Sequence, residues 1–334
     1  MSDESVHFPS PEFLIAFRRE AGDGWAMSFA DYMALALYDP AAGYYARARR
    51  RIGREAGSDF YTATSLGPVF GELVAAASAD LLGPRPPGDF TFAEIGADDA
   101  GGALEKTPHP FGGILPVSLG QPLTLPPRAI VFSNELFDAQ PCHRLVGRDG
   151  LWRELGVALR DNSLEEVLLP DLSLEVREMA GRLPPVAPEG YQLDLPLAAA
   201  QLVREIAVQS WSGLFVAIDY GKSWRELVEE TPAGTVRAYH RHRQSNDLLD
   251  RPGEQDLTCH VCWDWMVEAL NKAGFAVPTL ESQEAFFVHH ASPALGAIAA
   301  AEAGRLSSRK QGVMQLLHPA NMGRKFQVLW ALRD

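Results

Sequence analysis

The sequence predicts an α/β protein with a mostly parallel sheet and an antiparallel edge, preceded by a helical portion and interrupted by an antiparallel excursion. Two apolar runs lead to this class, Ala129 to Phe132 and Leu214 to Ile218, each of the length and composition of a strand buried on both faces of a parallel sheet. Each ends in polar residues: Asn134, Glu135 and Asp138 follow the first, and Asp219 closes the second. Helical periodicity lies between strand signals, and the antiparallel signals come late, which suits a parallel sheet finished by an antiparallel strand.

The N-terminal portion opens with Ser28-Phe-Ala-Asp31, a capping pattern, and Phe29, Tyr32, Met33, Ala36 and Leu37 then recur at helical spacing up to Asp39-Pro40. The basic run Arg47 to Arg54 reads as a surface loop in so acidic a chain. Pro68 and Gly83 bracket a second helix from about Pro68 to Leu82, and Gly83 to Gly88 forms a rigid linker. Phe90 to Ile95 is a short buried strand. Prolines at 108, 110, 116, 122, 126 and 127 then exclude a helix, leaving Ile114 to Leu119 as a possible strand. Asp149-Gly150 and Asp161-Asn162 are hairpin turns of an antiparallel excursion, and Pro196 opens a helix to about Ser210. Gly234 to Thr258 reads as a loop, Trp263 to Ala273 as a helix, Phe286 to His289 as a strand, 295–305 as an Ala-rich helix and Phe326 to Leu332 as a closing strand. These elements divide the chain into a helical cap region, 1–88, and a sheet domain, 89–334, with an insertion at about 142–195.

Composition narrows the function. A chain of 334 residues can bury a large core, and 46% hydrophobic with 22% charged residues is ordinary for a globular protein. A formal charge of -13 repels phosphate, arguing against nucleic acid and anionic membranes and favouring a basic partner. No apolar run approaches the roughly 20 residues needed to span a bilayer. Met1 to Pro11 resembles neither a secretory signal nor an Arg-rich transit peptide, and three cysteines fit a reducing, cytoplasmic setting. Oligomeric state has no signature in the sequence.

In open α/β sheets the functional crevice lies beyond the carboxyl ends of the strands, so Asn134, Glu135 and Asp138 are placed for chemistry there. The structural alternative is a turn and helix cap, with Ser133 or Asn134 accepting from the backbone and Glu135 favouring a helix start. Cys259-His-Val-Cys262 offers two thiolates and an imidazole, but Cys142 stands alone and a second ligand pair is missing, so no metal site is expected. His289 and His290 read as hydrogen-bonded structural residues. His242 and His260 follow Asp219 in a polar region and are candidates to line a site.

The residues carry a resemblance at this point. Ser28 to Met33 with Gly43-Tyr-Tyr45, Asp59-Phe-Tyr-Thr62 with Phe70 to Leu73, Asn134 to Ala139 with Pro141, Asp219-Tyr-Gly221, Gly234-Thr235, Arg237-Ala-Tyr239, His242, Pro252-Gly253, Asp256-Leu-Thr258, His260-Val261 and Met322-Gly323 with Phe326 occur in order from about 28 to 330. The chain resembles the MidA and NDUFAF7 family of class I S-adenosylmethionine-dependent methyltransferases. The resemblance implies a Rossmann-like fold, with the insertion forming an antiparallel and helical lid, and methyl transfer to a protein nitrogen, arginine above all. It implies S-adenosylmethionine as cofactor against Glu94 and Gly96, with Asp59, Tyr61 and Thr62 capping the site and Asp219 lining it. Glu135 with Asp138 would hold a cationic side chain of a protein partner, Asn134 is a further catalytic candidate, and Asp219, His242 and His260 would be orienting or proton-accepting groups.

Two departures oppose that activity. Family members follow the first strand's acid with a glycine-rich loop, whereas here it reads Glu94-Ile-Gly-Ala-Asp-Asp-Ala-Gly-Gly102, with side chains where the backbone should be bare. Glu94 and Asn134 are only 40 positions apart, too few for the usual crossovers of roughly 30 residues each, so the strand whose terminal acid would hold the cofactor's ribose is expected to be missing or reduced. The competing expectation is a non-catalytic binding or assembly factor that kept the fold without the cofactor.

Overall fold

The computed structural model describes residues 8–22, 25–46, 63–97, 102–118, 120–241, 243–304 and 307–334. The basic run Arg47 to Arg54, the candidate residues Asp59, Tyr61, Thr62 and His242, and the loop residues Asp98 to Ala100 lie outside these. The chain gathers into two compact units, each assembled from three stretches: Met1–Phe60, Phe137–Gln201 and Lys222–Cys262 form the first, and Tyr61–Leu136, Leu202–Gly221 and Trp263–Asp334 the second. The stretch 142–195, expected as an insertion, falls in the first unit. Elements are numbered along the chain.

The first unit holds α1 (Pro11–Ala21), β1 (Ala26–Ser28) and α2 (Phe29–Tyr38), then β5 (His143–Arg148), β6 (Leu151–Arg160), β7 (Ser163–Leu168), α4 (Leu174–Glu178) and β8 (Gln192–Leu195). These strands make one antiparallel sheet in the order β1-β6-β5-β8, with β7 also on β6. Both hairpins turn where the sequence places them: Asp149 and Gly150 have φ of 52 and 75°, and Asp161 and Asn162 of 47 and 63°. Positive φ at both central residues matches the right-handed twist of the flanking strands. Ser28 caps α2, its Oγ accepting from Asp31 N at 3.0 Å and donating to Asp31 Oδ2 at 2.7 Å. Phe13, Phe17, Phe29, Tyr32 and Met33 from the two helices fill a core with Val157 and Leu257.

The region expected as a loop from Gly234 to Thr258 is instead a small antiparallel sheet of β11 (Arg237–His240), β12 (Arg243–Ser245) and β13 (Asp256–Thr258) in the order β12-β11-β13. Strands of three or four residues are too short for alternation to show. α6 (Trp224–Glu229), with a capping box between Ser223 and Glu226, and β14 (Val261–Cys262) complete this unit. α5 (Leu197–Ala207) and β10 (Gly221–Lys222) carry the chain between the units.

The second unit contains α3 (Pro68–Leu81), β2 (Thr91–Ile95), β3 (Gly113–Val117), β4 (Arg128–Asn134), β9 (Ser212–Asp219), α7 (Trp263–Lys272), β15 (Thr279–Ser282), α8 (Gln283–His290), α9 (Ser292–Ala301), α10 (Ser308–Leu317) and β16 (Gln327–Arg333). Its six-stranded sheet has the order β15-β16-β9-β4-β2-β3. β3, β2, β4 and β9 are mutually parallel, and β16 runs against both β9 and β15. The reversed strand is therefore the penultimate one, not the edge as expected, because β15 adds a parallel strand outside it. Phe286 to His289, expected as a strand, is helical: Ser282 Oγ accepts from Ala285 N at 3.2 Å, and Phe286 and Phe287 enter the helical side of the core. There they meet Phe70, Phe132, Val216, Ile218 and Val328, with Phe92 and Phe132 rings 5.2 Å apart. Between β2 and β3, and between β3 and β4, the described residues contain turns and prolines but no helix. The short count from Glu94 to Asn134 is met by losing helices while one strand, β3, is kept.

Candidate functional site

The carboxyl ends of three neighbouring strands in the second unit deliver the polar residues that sequence singles out. Glu94 is the penultimate residue of β2 and stands opposite Phe132; Asn134 ends β4 opposite Ile218; Asp219 ends β9 one position further. Strand alternation puts Glu94 and Asn134 toward the α3 and α8 face and Asp219 toward the other. Asp219 is fully buried, and its Oδ1 accepts from Tyr220 N at 2.8 Å.

β4 ends with Glu135 N donating to Ile218 O at 2.9 Å, after which the chain turns away with Glu135 at φ 50°. A left-handed conformation costs a non-glycine residue about 1 kcal/mol or more and is tolerated where surroundings impose it. No helix follows: residues 135–142 are turns and irregular chain, so the helix-cap alternative for Asn134 and Glu135 falls. Asn134 Nδ2 donates to Glu135 Oε1 at 3.1 Å, while Asn134 Oδ1 is buried without a hydrogen-bond partner. The opposite amide orientation would set oxygen against carboxylate, so the orphan is the acceptor. Buried polar atoms without partners are rare and costly, and this one sits beside a carboxylate at a strand end.

Glu94 is 7% exposed and its Oε2 accepts from Ala103 N at 2.7 Å. Gly102, at φ 87°, lies so close that a Cβ would overlap that carboxylate. Gly96, at φ 79°, is covered by Leu136, whose Cδ1 would be 2.8 Å from a Cβ. Neither glycine opens onto an empty cradle. β3 ends at Val117 and is followed by Ser118, whose N–H donates to Gln121 Oε1 at 3.0 Å, and the sequence holds no Asp or Glu between Glu105 and Glu135. A carboxylate for ribose hydroxyls is therefore missing from this strand. Of the residues that the family resemblance assigns to S-adenosylmethionine, Glu94, Gly96 and Asp219 are described, whereas residues 98–101 of the loop and Asp59, Tyr61 and Thr62 lie outside the described residues.

Two further candidates belong to the first unit. Asp138 is 4% exposed, and its backbone oxygen accepts from Cys259 N at 2.8 Å. His260 is mostly buried; burial lowers its pKa to about 4, reinforced by Lys222 and Arg237 and opposed by Asp194 and Glu226. At neutral pH it is an uncharged imidazole and a weak base. Cys259 Sγ lies 3.5 Å from Thr235 Oγ1, and Cys142 Sγ 3.9 Å from Met33 Sδ; all three cysteines are buried thiols outside any disulfide.

Sequence reasoning missed the polar centre of the first unit. Asp194 on β8, 1% exposed, accepts from Arg144 Nε at 3.1 Å, Val236 N at 3.0 Å and Thr235 N. Arg144 on β5 also donates to Glu166 Oε2 and Gln192 Oε1, both at 2.8 Å. These partners are distant in sequence, so only an acid inside the apolar Leu193-Asp-Leu195 could have hinted at them. His143, Glu154 and Ser173 look like a hydrolytic triad but do not form one. Glu154 Oε1 and Ser173 Oγ meet the same ring nitrogen of His143, at 2.8 and 3.2 Å, whereas a proton relay uses opposite nitrogens.

A parallel sheet with its penultimate strand reversed, helices over it and an acidic and amide cluster at the strand ends defines an α/β protein of the methyltransferase class. Residues 120–280 match a family described as "Putative S-adenosyl-L-methionine-dependent methyltransferase". The chain is 23% identical over 317 residues to the protein arginine methyltransferase NDUFAF7, mitochondrial, of Xenopus tropicalis, covering 77% of this chain and 70% of that one. It is 26% identical over 288 residues to the Drosophila melanogaster homolog, covering 70% of this chain and 64% of that protein, less than two thirds of its length. A crystal structure of a COG1565 superfamily member from Burkholderia thailandensis bound to S-adenosyl-homocysteine superposes with a TM-score of 0.79, at 28% identity, over 98% of this chain and 95% of that one. Together the sequence matches and the shared fold support a MidA/NDUFAF7-like family of S-adenosylmethionine-dependent methyltransferases for this chain.

Proposed function

We propose that this chain is a protein-recognising member of its family that receives a cationic side chain, arginine by preference, at Asn134 and Glu135, and does so without transferring a methyl group. The observation that carries this is the orphaned Asn134 Oδ1 beside the Glu135 carboxylate. An orphaned acceptor beside a carboxylate suits a group that only donates, and a guanidinium presents five N–H donors in a planar fork. The absence of any carboxylate from 106 to 134, with Glu94 turned into its own loop, supports recognition over transfer. No helix among the described residues is long and apolar enough to cross a membrane. The relatives' names place them in mitochondria, whereas three cysteines outside any disulfide support a reducing compartment, and we propose the cytoplasm as the location.

A second reading, N-methylation of arginine from S-adenosylmethionine, draws on the Burkholderia thailandensis relative and its bound S-adenosyl-homocysteine. Calorimetric titration with S-adenosylmethionine and S-adenosylhomocysteine separates the two. Weak or absent binding is expected; a dissociation constant in the low micromolar range, on the order of -8 kcal/mol, would favour transfer. Titration of an Arg-Gly repeat peptide tests the recognition itself. Glu135→Gln should weaken peptide binding about tenfold or more, since the charge is lost at nearly constant volume, with the melting temperature close to unchanged. Unaltered peptide binding in that variant would end the proposal.

A further inference from the structure

We propose that Glu281, His289 and His290 form a site for a divalent transition-metal ion, zinc by preference, on the helical side of β15 in the second unit. The donor atoms of these residues all lie within 4.8 Å of one another. His289 Nδ1 is 2.8 Å from Glu281 Oε2, and His290 Nε2 is 3.3 Å from Glu281 Oε1. A tetrahedral zinc ion with ligands at about 2.1 Å sets its ligand atoms about 3.4 Å apart, so the cluster needs only small rotations to close on one ion. Two imidazoles and one carboxylate form a donor set suited to zinc, with a fourth position left for water. The His289 side chain is 62% exposed, which gives that position access to solvent.

What separates this cluster from an ordinary surface ion pair is the layer behind it. Asp80 Oδ2 in α3 lies 3.1 Å from His290 Nδ1; in the tautomer with the proton on Nδ1 it accepts from the ring and leaves the Nε2 lone pair facing Glu281. Trp330 Nε1 on β16 donates to Glu281 Oε1 at 2.9 Å and holds that carboxylate, whose side chain is 13% exposed. A carboxylate behind a histidine and a donor behind a ligating carboxylate are the supports that orient metal ligands. In that tautomer the Nε2 lone pair and a carboxylate oxygen face each other at 3.3 Å, the pairing of donors that a metal ion bridges. The sequence offers no signature of the site, because Glu281 is separated from the two histidines by most of α8 and Asp80 comes from 200 positions earlier.

Untagged full-length protein, stripped with chelator and titrated with zinc chloride against a chromophoric competitor, should bind one equivalent per chain. Cobalt(II) at the same site should show the intense visible bands of a tetrahedral ion. His289→Ala/His290→Ala should abolish both, and Asp80→Asn should weaken zinc about 10–100-fold without touching a ligand. Glu281→Gln serves as an independent ligand variant should the double variant fail to fold, and should also lose binding. No saturable equivalent in the parent chain, or zinc affinity unchanged in a folded ligand variant, would overturn the site.

Discussion

Replacing Asp194 with Ala should be among the most damaging single changes in the first unit. The substitution removes the acceptor for Arg144 Nε and for the Thr235 and Val236 amides, all in a place where Asp194 is 1% and Arg144 5% exposed. Each stranded buried amide costs about 1–3 kcal/mol, and a buried ion pair broken from one side costs about 3–5 kcal/mol. These contributions overlap, and Glu166 still faces Arg144 at 2.8 Å, so a total loss of about 3–5 kcal/mol is expected. Asp194→Asn keeps an oxygen for the amides and loses the charge, so it should fall between Asp194→Ala and the parent. Arg144→Met/Asp194→Leu removes both charges and should cost less than the sum of the separate changes. Urea unfolding followed by near- and far-ultraviolet circular dichroism gives the differences. A loss below about 1 kcal/mol for Asp194→Ala, or a double variant as damaged as the sum, would refute the account of this network.

His260 makes stability depend on pH in a definite direction. Its folded pKa of about 4 lies below the ordinary 6.5, so above pH 6.5 neither state holds the proton. As pH falls from there to about 4 the unfolded chain takes up a proton that the folded site refuses. Stability should therefore decline by about 1.4 kcal/mol per pH unit, roughly 3 kcal/mol in all, and His260→Asn should flatten that part of the profile. In the second unit, Phe132→Ala deletes a fully buried ring that touches Phe70 and Phe92, and should cost about 3–5 kcal/mol in chemical unfolding.

Features encoded locally could be read from the chain. The turns at Asp149-Gly150 and Asp161-Asn162, the Ser28 cap and the Pro68 and Gly83 boundaries of α3 each depend on a few adjacent residues, and all stand in the structure. The strand inside the proline-rich segment was legible because β3 pairs with β2 through backbone alone and tolerates Pro116 near its end at an edge of the sheet. Phe286 to His289 misled because Phe-Phe-Val is apolar at strand length; the capping Ser282 with Glu284 in the first turn was the available signal for a helix. α1 and α10 have mixed, weakly apolar sequences, and neither was anticipated. Asn134 and Glu135 stood out as a strand's polar end, but that Asn134 Oδ1 lacks a partner, or that Asp194 holds Arg144, depends on chain folded from elsewhere.

The place of β16 bears on how the chain must be made. It is the last strand in sequence, yet it lies between β9 and β15 and pairs with both. Until synthesis has passed residue 333, β9 presents an open row of amides and carbonyls and β15 has no strand to join. A nascent sheet with an open apolar edge can pair with other chains, which makes slow completion an aggregation hazard. Because the partners of β16 lie more than 40 and more than 100 positions upstream, closing the sheet also relies on contacts of high sequence separation, which slow folding. Production in cells should thus reward conditions that slow initiation and supply holding chaperones more than conditions that raise output.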